Sequence, residues 1–214
     1  MKVMDRELID MKKSLLGLIG IMILSTILSA CSNYKFKPDF NYPIDDFEMI
    51  DQHGNTVSLE DLKGEPWLAM FIFTSCTTVC PPMTFNMTEI QQELIDRGVD
   101  DYKIVAFSVD PETDSPEVLA NYLSNYPVPD ESKWHLLTGY DQKYIEQFAL
   151  NSFKTLVKKP DDGGQVVHMS TFHLVDETGT IVKNYTGYSE TEGGVSFDTI
   201  AIDMKTLIEE RLSK

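Results

Sequence analysis

Cys76 and Cys80, with three residues between them, carry the most chemistry in this chain. They stand in Phe71-Ile72-Phe73-Thr74-Ser75-Cys76-Thr77-Thr78-Val79-Cys80-Pro81-Pro82-Met83, an apolar run that leads into two prolines. The run predicts a buried strand ending in a loop, with the thiols at the loop's exposed end. A helix is expected to start at the prolines, because proline suits the first helical turn, where no backbone N–H is needed. The partial positive charge at a helix N-terminus favours thiolate. Redox work or soft-metal binding fits such a position, with a structural disulfide as the bland alternative.

Thiolates are soft ligands, preferred by Cu(I) and acceptable to Zn(II). Structural zinc usually takes four ligands, and the chain has 3 cysteines in all. Two sulfurs with one imidazole would suit copper. Any of 4 histidines could supply that ring. His53 lies in a polar turn and reads as a solvated surface residue. His135 sits inside a short strand, packed or edge-exposed, and His173 is mid-strand. His168 stands where a loop gives way to a strand. Strand ends can lie on different edges of a sheet, so spacing alone leaves the choice open.

The third cysteine belongs to a different segment. Lys12 and Lys13 precede an apolar run from Leu15 to Leu28, which ends in Leu28-Ser29-Ala30-Cys31. This is the pattern of a secretory signal peptide, and the run is short of the roughly 20 apolar residues of a spanning helix. Leu-Ser-Ala-Cys resembles the bacterial lipoprotein signal, which implies cleavage before Cys31 and a diacylglycerol thioether on its sulfur. An uncleaved anchor is the alternative; either way the domain is expected outside the cytoplasm, held to a membrane. Met11-Lys12-Lys13-Ser14 reads as a more natural start, which would make residues 1–10 a mis-called extension or an unusual leader. Residues 31–43 are then the lipid-bearing cysteine and a tether, and 44–214 the folded domain. With Cys31 consumed by lipid, Cys76 and Cys80 are left together in an oxidising compartment.

A net charge of −16 argues against nucleic acid as a partner, since that needs a basic face. The same charge repels anionic lipid, so membrane attachment falls to Cys31. The length left after the leader fits one domain, expected to act as a monomer.

The elements that must position the thiols read as follows. Phe47–Ile50 and Thr56–Leu59 flank Asp51-Gln52-His53-Gly54-Asn55, a hairpin signal. Residues 60–65 read as a connection, and Trp67–Phe73 as a central strand buried on both faces. Met83, Met87, Ile90 and Leu94 recur at helical spacing, a core stripe rather than a copper-binding box. Tyr102–Val109 is the next strand, and Ser115-Pro116 caps a helix running to about Asn125. Trp134–Thr138 reads as a strand, Asp141–Leu150 as a helix and Lys158–Gln165 as a loop or hairpin tip. Met169–Val175 and Thr180–Tyr185 are strands around the turn Asp176–Gly179. Ile200, Met204, Leu207, Ile208 and Leu212 mark a closing helix. Strands alternating with helices predict an α/β fold, with a central mixed sheet, helices on both faces and an N-terminal β-hairpin.

Phe73-Thr74-x-Cys76-x-x-x-Cys80-Pro81 resembles the metal-binding segment of the Sco/SenC copper proteins. Three further pieces follow in the same order. They are Ser108-Val109-Asp110-Pro111-Glu112-Thr113-Asp114-Ser115-Pro116, then Trp134-His135-Leu136-Leu137-Thr138-Gly139, then His168 with Leu174-Val175-Asp176 and Gly179. The similarity runs from about Phe47 to Leu212. It implies a thioredoxin-like fold with copper held by Cys76, Cys80 and His168. It also implies work on the dinuclear copper centre of cytochrome c oxidase, by delivering copper to the copper-bearing subunit, by reducing that subunit's cysteines, or both. Asp110 and Asp114 match the family's acidic segment; a strand end and a helix cap, or a role at the metal, both remain open. Val167-His168-Met169 departs from the family's frequent Asp-His-Ser. Met169 is either an extra soft ligand or a packed side chain. The strand after His168 lacks the proline that thioredoxins place before theirs, which argues against general disulfide exchange. The alternatives are a thiol–disulfide oxidoreductase using Cys76 and Cys80 as its redox pair, with a thiol peroxidase as a variant, and a copper or redox sensor acting through a membrane partner.

Overall fold

The computed structural model describes residues 35–160, 164, 166–189 and 194–213. The expected signal segment and Cys31 lie outside the described residues. The chain divides into two units, Met1–Lys35 and Phe36–Lys214, and the architecture below is that of the second.

Its strands are β1 (Tyr42–Pro43), β2 (Glu48–Ile50), β3 (Thr56–Ser58), β4 (Trp67–Ile72), β5 (Lys103–Ser108), β6 (Trp134–Leu137), β7 (Thr171–Val175) and β8 (Thr180–Thr186). Its helices are α1 (Leu59–Leu62), α2 (Cys80–Asp96), α3 (Pro116–Leu123), α4 (Gln142–Phe153) and α5 (Phe197–Leu212), with a 3-10 turn at Glu131–Lys133. One sheet has the order β1-β8-β7-β4-β5-β6, and β2 pairs with β3 separately. β4, β5 and β6 are parallel, while β7, β8 and β1 are added antiparallel.

β4 is buried along its whole length, as a strand covered on both faces must be. Neighbouring residues of β7 show the two coverings. His173 meets Phe153 of α4 at 5.1 Å between ring centroids. Phe172, pointing the other way, converges with Met83 of α2 on Gly187. Met83, Met87, Ile90 and Leu94 are fully buried, so the methionines are core, as their spacing predicts.

The separate hairpin caps the β6 edge. Buried Gln52 donates Nε2–H to the Trp134 carbonyl (2.9 Å) and accepts from the Leu136 N–H (2.8 Å). Ile50 and Thr138 exchange backbone bonds of 2.9 and 2.8 Å. These contacts satisfy edge groups that would otherwise be open to a second chain. Gly139 follows at φ +88, and a Cβ there would lie 2.9 Å from Ile50 Cγ1, so conformation and space both demand glycine.

Two segments differ from the sequence reading. Residues 59–62 are helical rather than a plain connection: Ser58 Oγ accepts from the Asp61 N–H, and Asp61 Oδ2 accepts from the Ser58 N–H. That reciprocal pair is a capping box. The segment read as a tether also ends inside the sheet, since Tyr42 and Pro43 pair with Ile181 and Thr180.

Buried His173 bonds through Nδ1 to Asn184 Oδ1 at 2.7 Å, and its Nε2 has no partner among the described residues. Burial pushes its pKa down from 6.5 to about 4, against the raising effect of Asn184. The unfolded chain therefore binds more protons than the fold between these values, and stability falls as pH drops through that window. The loss is about 3 kcal/mol once pH is below both values. Urea unfolding at pH 7 and at pH 4 should show it, and His173→Gln should flatten the slope between the two.

Candidate metal centre

β4 delivers the chain to the site. Past Ile72, the Cys76 N–H turns back to the Phe73 carbonyl at 3.2 Å, and α2 begins at Cys80 with Pro81 and Pro82 in its first turn. The helix thus starts just before the prolines. Its N-cap, Val79, makes no side-chain cap bond. Instead the Cys80 N–H donates to Cys76 Sγ at 3.4 Å. The sulfur of one cysteine takes a donor that the helix end leaves over for the other.

Both thiols are buried rather than exposed. Cys80 precedes Met83 and Met87 by three and seven residues, so it continues their inward stripe. Burial raises the Cys76 pKa, but bonds from His168 and from the Cys80 and Thr78 backbone outweigh it and bring the thiol to about 5. Cys80 goes the other way: burial pushes its thiol far up, with the neighbouring Cys76 adding to the rise. The expectation of favoured thiolate at the helix start therefore holds for Cys76 and fails for Cys80, because the helix charge does not offset desolvation at the deeper sulfur. A thiolate titration followed by ultraviolet absorbance of the reduced, metal-free protein should show one group ionising near pH 5. The second should stay protonated past neutrality.

Asp114 supports the cysteine segment from below. It is fully buried and accepts from Thr74 Oγ1 (2.6 Å), the Thr74 N–H (3.3 Å) and Ser108 Oγ (2.6 Å). Burial raises its pKa more than these donors lower it. Asp114 thus anchors the loop rather than serving as a helix cap; the cap of α3 is Ser115. Thr74 and Ser108 stand in the sequence only as members of their motifs, and their role as donors to Asp114 comes from the fold.

His168 arrives from the segment leading into β7, the antiparallel neighbour of β4. Its ring stands edge-on to Phe73, with centroids 5.7 Å apart, and Nε2 lies 3.3 Å from Cys80 Sγ. Nδ1 is 3.1 Å from the Met169 carbonyl. A carbonyl can only accept, so Nδ1 carries a hydrogen, and Nε2 is the ring nitrogen that faces the sulfurs. The ligating atoms of Cys76, Cys80 and His168 all lie within 4.8 Å of one another. Among the described residues this is the one such group of three. The other histidines are elsewhere: His53 is exposed beside Glu131, His135 half-buried near Asp51, and His173 bonded to Asn184. Met169 is 56% exposed rather than packed.

Two soft sulfurs and an imidazole nitrogen, at the end of a central strand and the start of a helix, define a thioredoxin-like protein whose active position is built for a soft metal or for dithiol chemistry. The chain belongs to the SCO1/SenC family, whose model matches residues 37–199. It is 46% identical to the SCO1 protein homolog of Bacillus subtilis, over 87% of this chain and 93% of that protein. Among solved structures it resembles BsSco, described as having a disulfide switch and as a member of the Sco family of cytochrome c oxidase assembly proteins. That likeness has a TM-score of 0.72 at 46% identity, over 81% of this chain and 98% of the other. It also resembles ScoI of Bradyrhizobium japonicum, solved with copper bound. There the TM-score is 0.63 at 28% identity, covering 77% of this chain and 99% of that one.

Proposed function

We propose that this chain binds one copper ion through Cys76 Sγ, Cys80 Sγ and His168 Nε2 and supports assembly of the dinuclear copper centre of cytochrome c oxidase. Its partner is the copper-bearing subunit of the oxidase. The protein works as a monomer on the extracytoplasmic side, held to the membrane by lipid on Cys31. The observation that carries the reading is the convergence of two sulfurs and one ring nitrogen within 4.8 Å. The donor set fits the cargo. Sulfur and imidazole suit copper, whereas magnesium and calcium want oxygen. The copper held by ScoI and the oxidase-assembly family of BsSco support the same assignment.

Copper here is cargo, and the thiols control it. Only deprotonated sulfur ligates, so Cys80 must give up its proton as the ion enters. An anaerobic copper titration of the reduced protein should reach one ion per chain, and a stoichiometry well below one would reject the reading. In a deletion strain, oxidase activity restored by added copper supports delivery.

The unequal thiols support a second reading of the same pair, a dithiol that reduces the cysteines of the oxidase subunit. Cys76, held as thiolate, would attack, and Cys80 would resolve. Forming the Cys76–Cys80 disulfide passes two electrons to the partner disulfide, which becomes two thiols by taking one proton from Cys80 and one from solvent. Rescue of the deletion strain by a reductant alone would favour this chemistry over delivery. Altered expression with normal oxidase copper content would instead point to a sensor.

A further inference from the structure

We infer that Lys159 is a positioning residue for the proposed metal centre: it fastens the arm carrying His168 to the same loop, residues 109–115, that anchors the cysteine segment. The inference rests on the reading of Cys76, Cys80 and His168 as the metal ligands.

His168 is 88 residues from Cys80 along the chain, so something must hold the two halves in register. On the histidine side, Lys158 and Val167 exchange both backbone bonds, Lys158 N–H to Val167 O at 3.0 Å and Val167 N–H to Lys158 O at 2.9 Å. Val167 directly precedes His168, so displacing residues 158–159 displaces the ring. Lys159 then reaches out of this pairing. Its Nζ donates to Asp110 Oδ1 at 2.7 Å and to Glu112 Oε2 at 2.8 Å. Its backbone N–H donates to Glu146 Oε1 at 2.9 Å, while Lys158 Nζ reaches Glu146 Oε2 at 3.2 Å.

On the cysteine side, the same loop reaches the thiols through Asp114. The Asp110 N–H donates to Ser108 Oγ at 3.2 Å, and Ser108 Oγ donates to Asp114 Oδ2 at 2.6 Å. Asp114 in turn holds Thr74, two residues before Cys76. A continuous path therefore runs from Thr74 through Asp114, Ser108, Asp110 and Lys159 to Val167 and His168. Hydrogen bonds to Asp110 and Glu112 hold the Lys159 pKa at about 12, so the ammonium keeps its charge across neutral pH. The Asp110 carboxylate is 10% exposed and Glu112 68%. Salt should screen the Glu112 contact much more than the Asp110 contact.

The test compares wild type, Lys159→Met, Lys159→Arg and His168→Ala, the last alone and combined with Lys159→Met. Two readouts are taken: copper affinity by competition with a chromogenic chelator, and hydrogen exchange at the Val167 and Lys158 amides in the metal-free protein. Lys159→Met should keep one copper per chain, bind it about tenfold more weakly, as for two partly exposed ion pairs, and speed exchange at Val167. Lys159→Arg should restore both. Added to His168→Ala, Lys159→Met should cost nothing further, because the lysine acts through the histidine. Unchanged exchange at Val167, or an equal loss of affinity with and without His168, would overturn the inference. If His168→Ala alone leaves affinity unchanged, the metal-centre reading fails instead, and the exchange data still decide whether Lys159 holds the arm.

Discussion

Cys76→Ser and Cys80→Ser are each expected to bring copper binding down by a hundredfold or more. Structural zinc sites of four ligands carry about 10–16 kcal/mol, and on that scale each ligand accounts for about 3 kcal/mol or about two orders of magnitude. A serine hydroxyl is neutral, hard and not ionised at neutral pH, so it replaces neither the softness nor the charge of the sulfur. His168→Ala should retain binding through the two sulfurs at lower affinity. The pH dependence separates the thiols further. Cys80 is held protonated by burial, so each ion that enters displaces its proton, and apparent affinity should rise about tenfold per pH unit around neutrality. Cys76 loses its proton at about 5. Below that pH a second proton competes, and the slope should steepen. Chelator competition from pH 4.5 to pH 8 reads both regimes. A flat profile would show that both sulfurs are already thiolate in the free protein.

Asp114→Ala should be strongly damaging although Asp114 is not a ligand. The carboxylate is fully buried and takes three donors, Thr74 Oγ1, the Thr74 N–H and Ser108 Oγ. Deleting it leaves those buried donors without their acceptor, at about 1 kcal/mol or more for each, so about 3 kcal/mol in all. Asp114→Asn should cost less. It keeps an acceptor oxygen and sheds a charge that burial already disfavours, as the raised pKa of Asp114 shows. Denaturant midpoints of the two variants measure the difference. Copper affinity should fall with Asp114→Ala as well, because Thr74 leads directly into Cys76. A stability unchanged in Asp114→Ala would mean that the loop draws its support from elsewhere.

Much of the fold was legible because it is local. The apolar run at 67–73 has no polar alternation, and a strand buried on both faces results. Met83, Met87, Ile90 and Leu94 repeat at helical spacing, and one helix buries all four. Ser115-Pro116 marks the start of α3, where the serine hydroxyl accepts from the Val118 N–H. The short helix at 59–62 could have been read from Ser58 and Asp61, whose spacing of three makes the reciprocal cap. The strand at Tyr42–Pro43 could not: two residues carry no periodicity, and only the exposed edge of β8 gives them a partner.

At the site, residue types and spacing by themselves determined the two thiols at a strand–helix junction and four possible rings, and the family resemblance alone pointed to His168 among them. Tertiary structure decided which ring meets the sulfurs, how deep each sulfur sits, and which loop ties the halves together. The reason is that spacing and periodicity act over a few residues. The meeting of His168 with Cys80, across 88 residues, is set by the order in which strands join the sheet and by buried contacts such as Asp114 with Thr74. Those contacts exist only once the whole domain has closed.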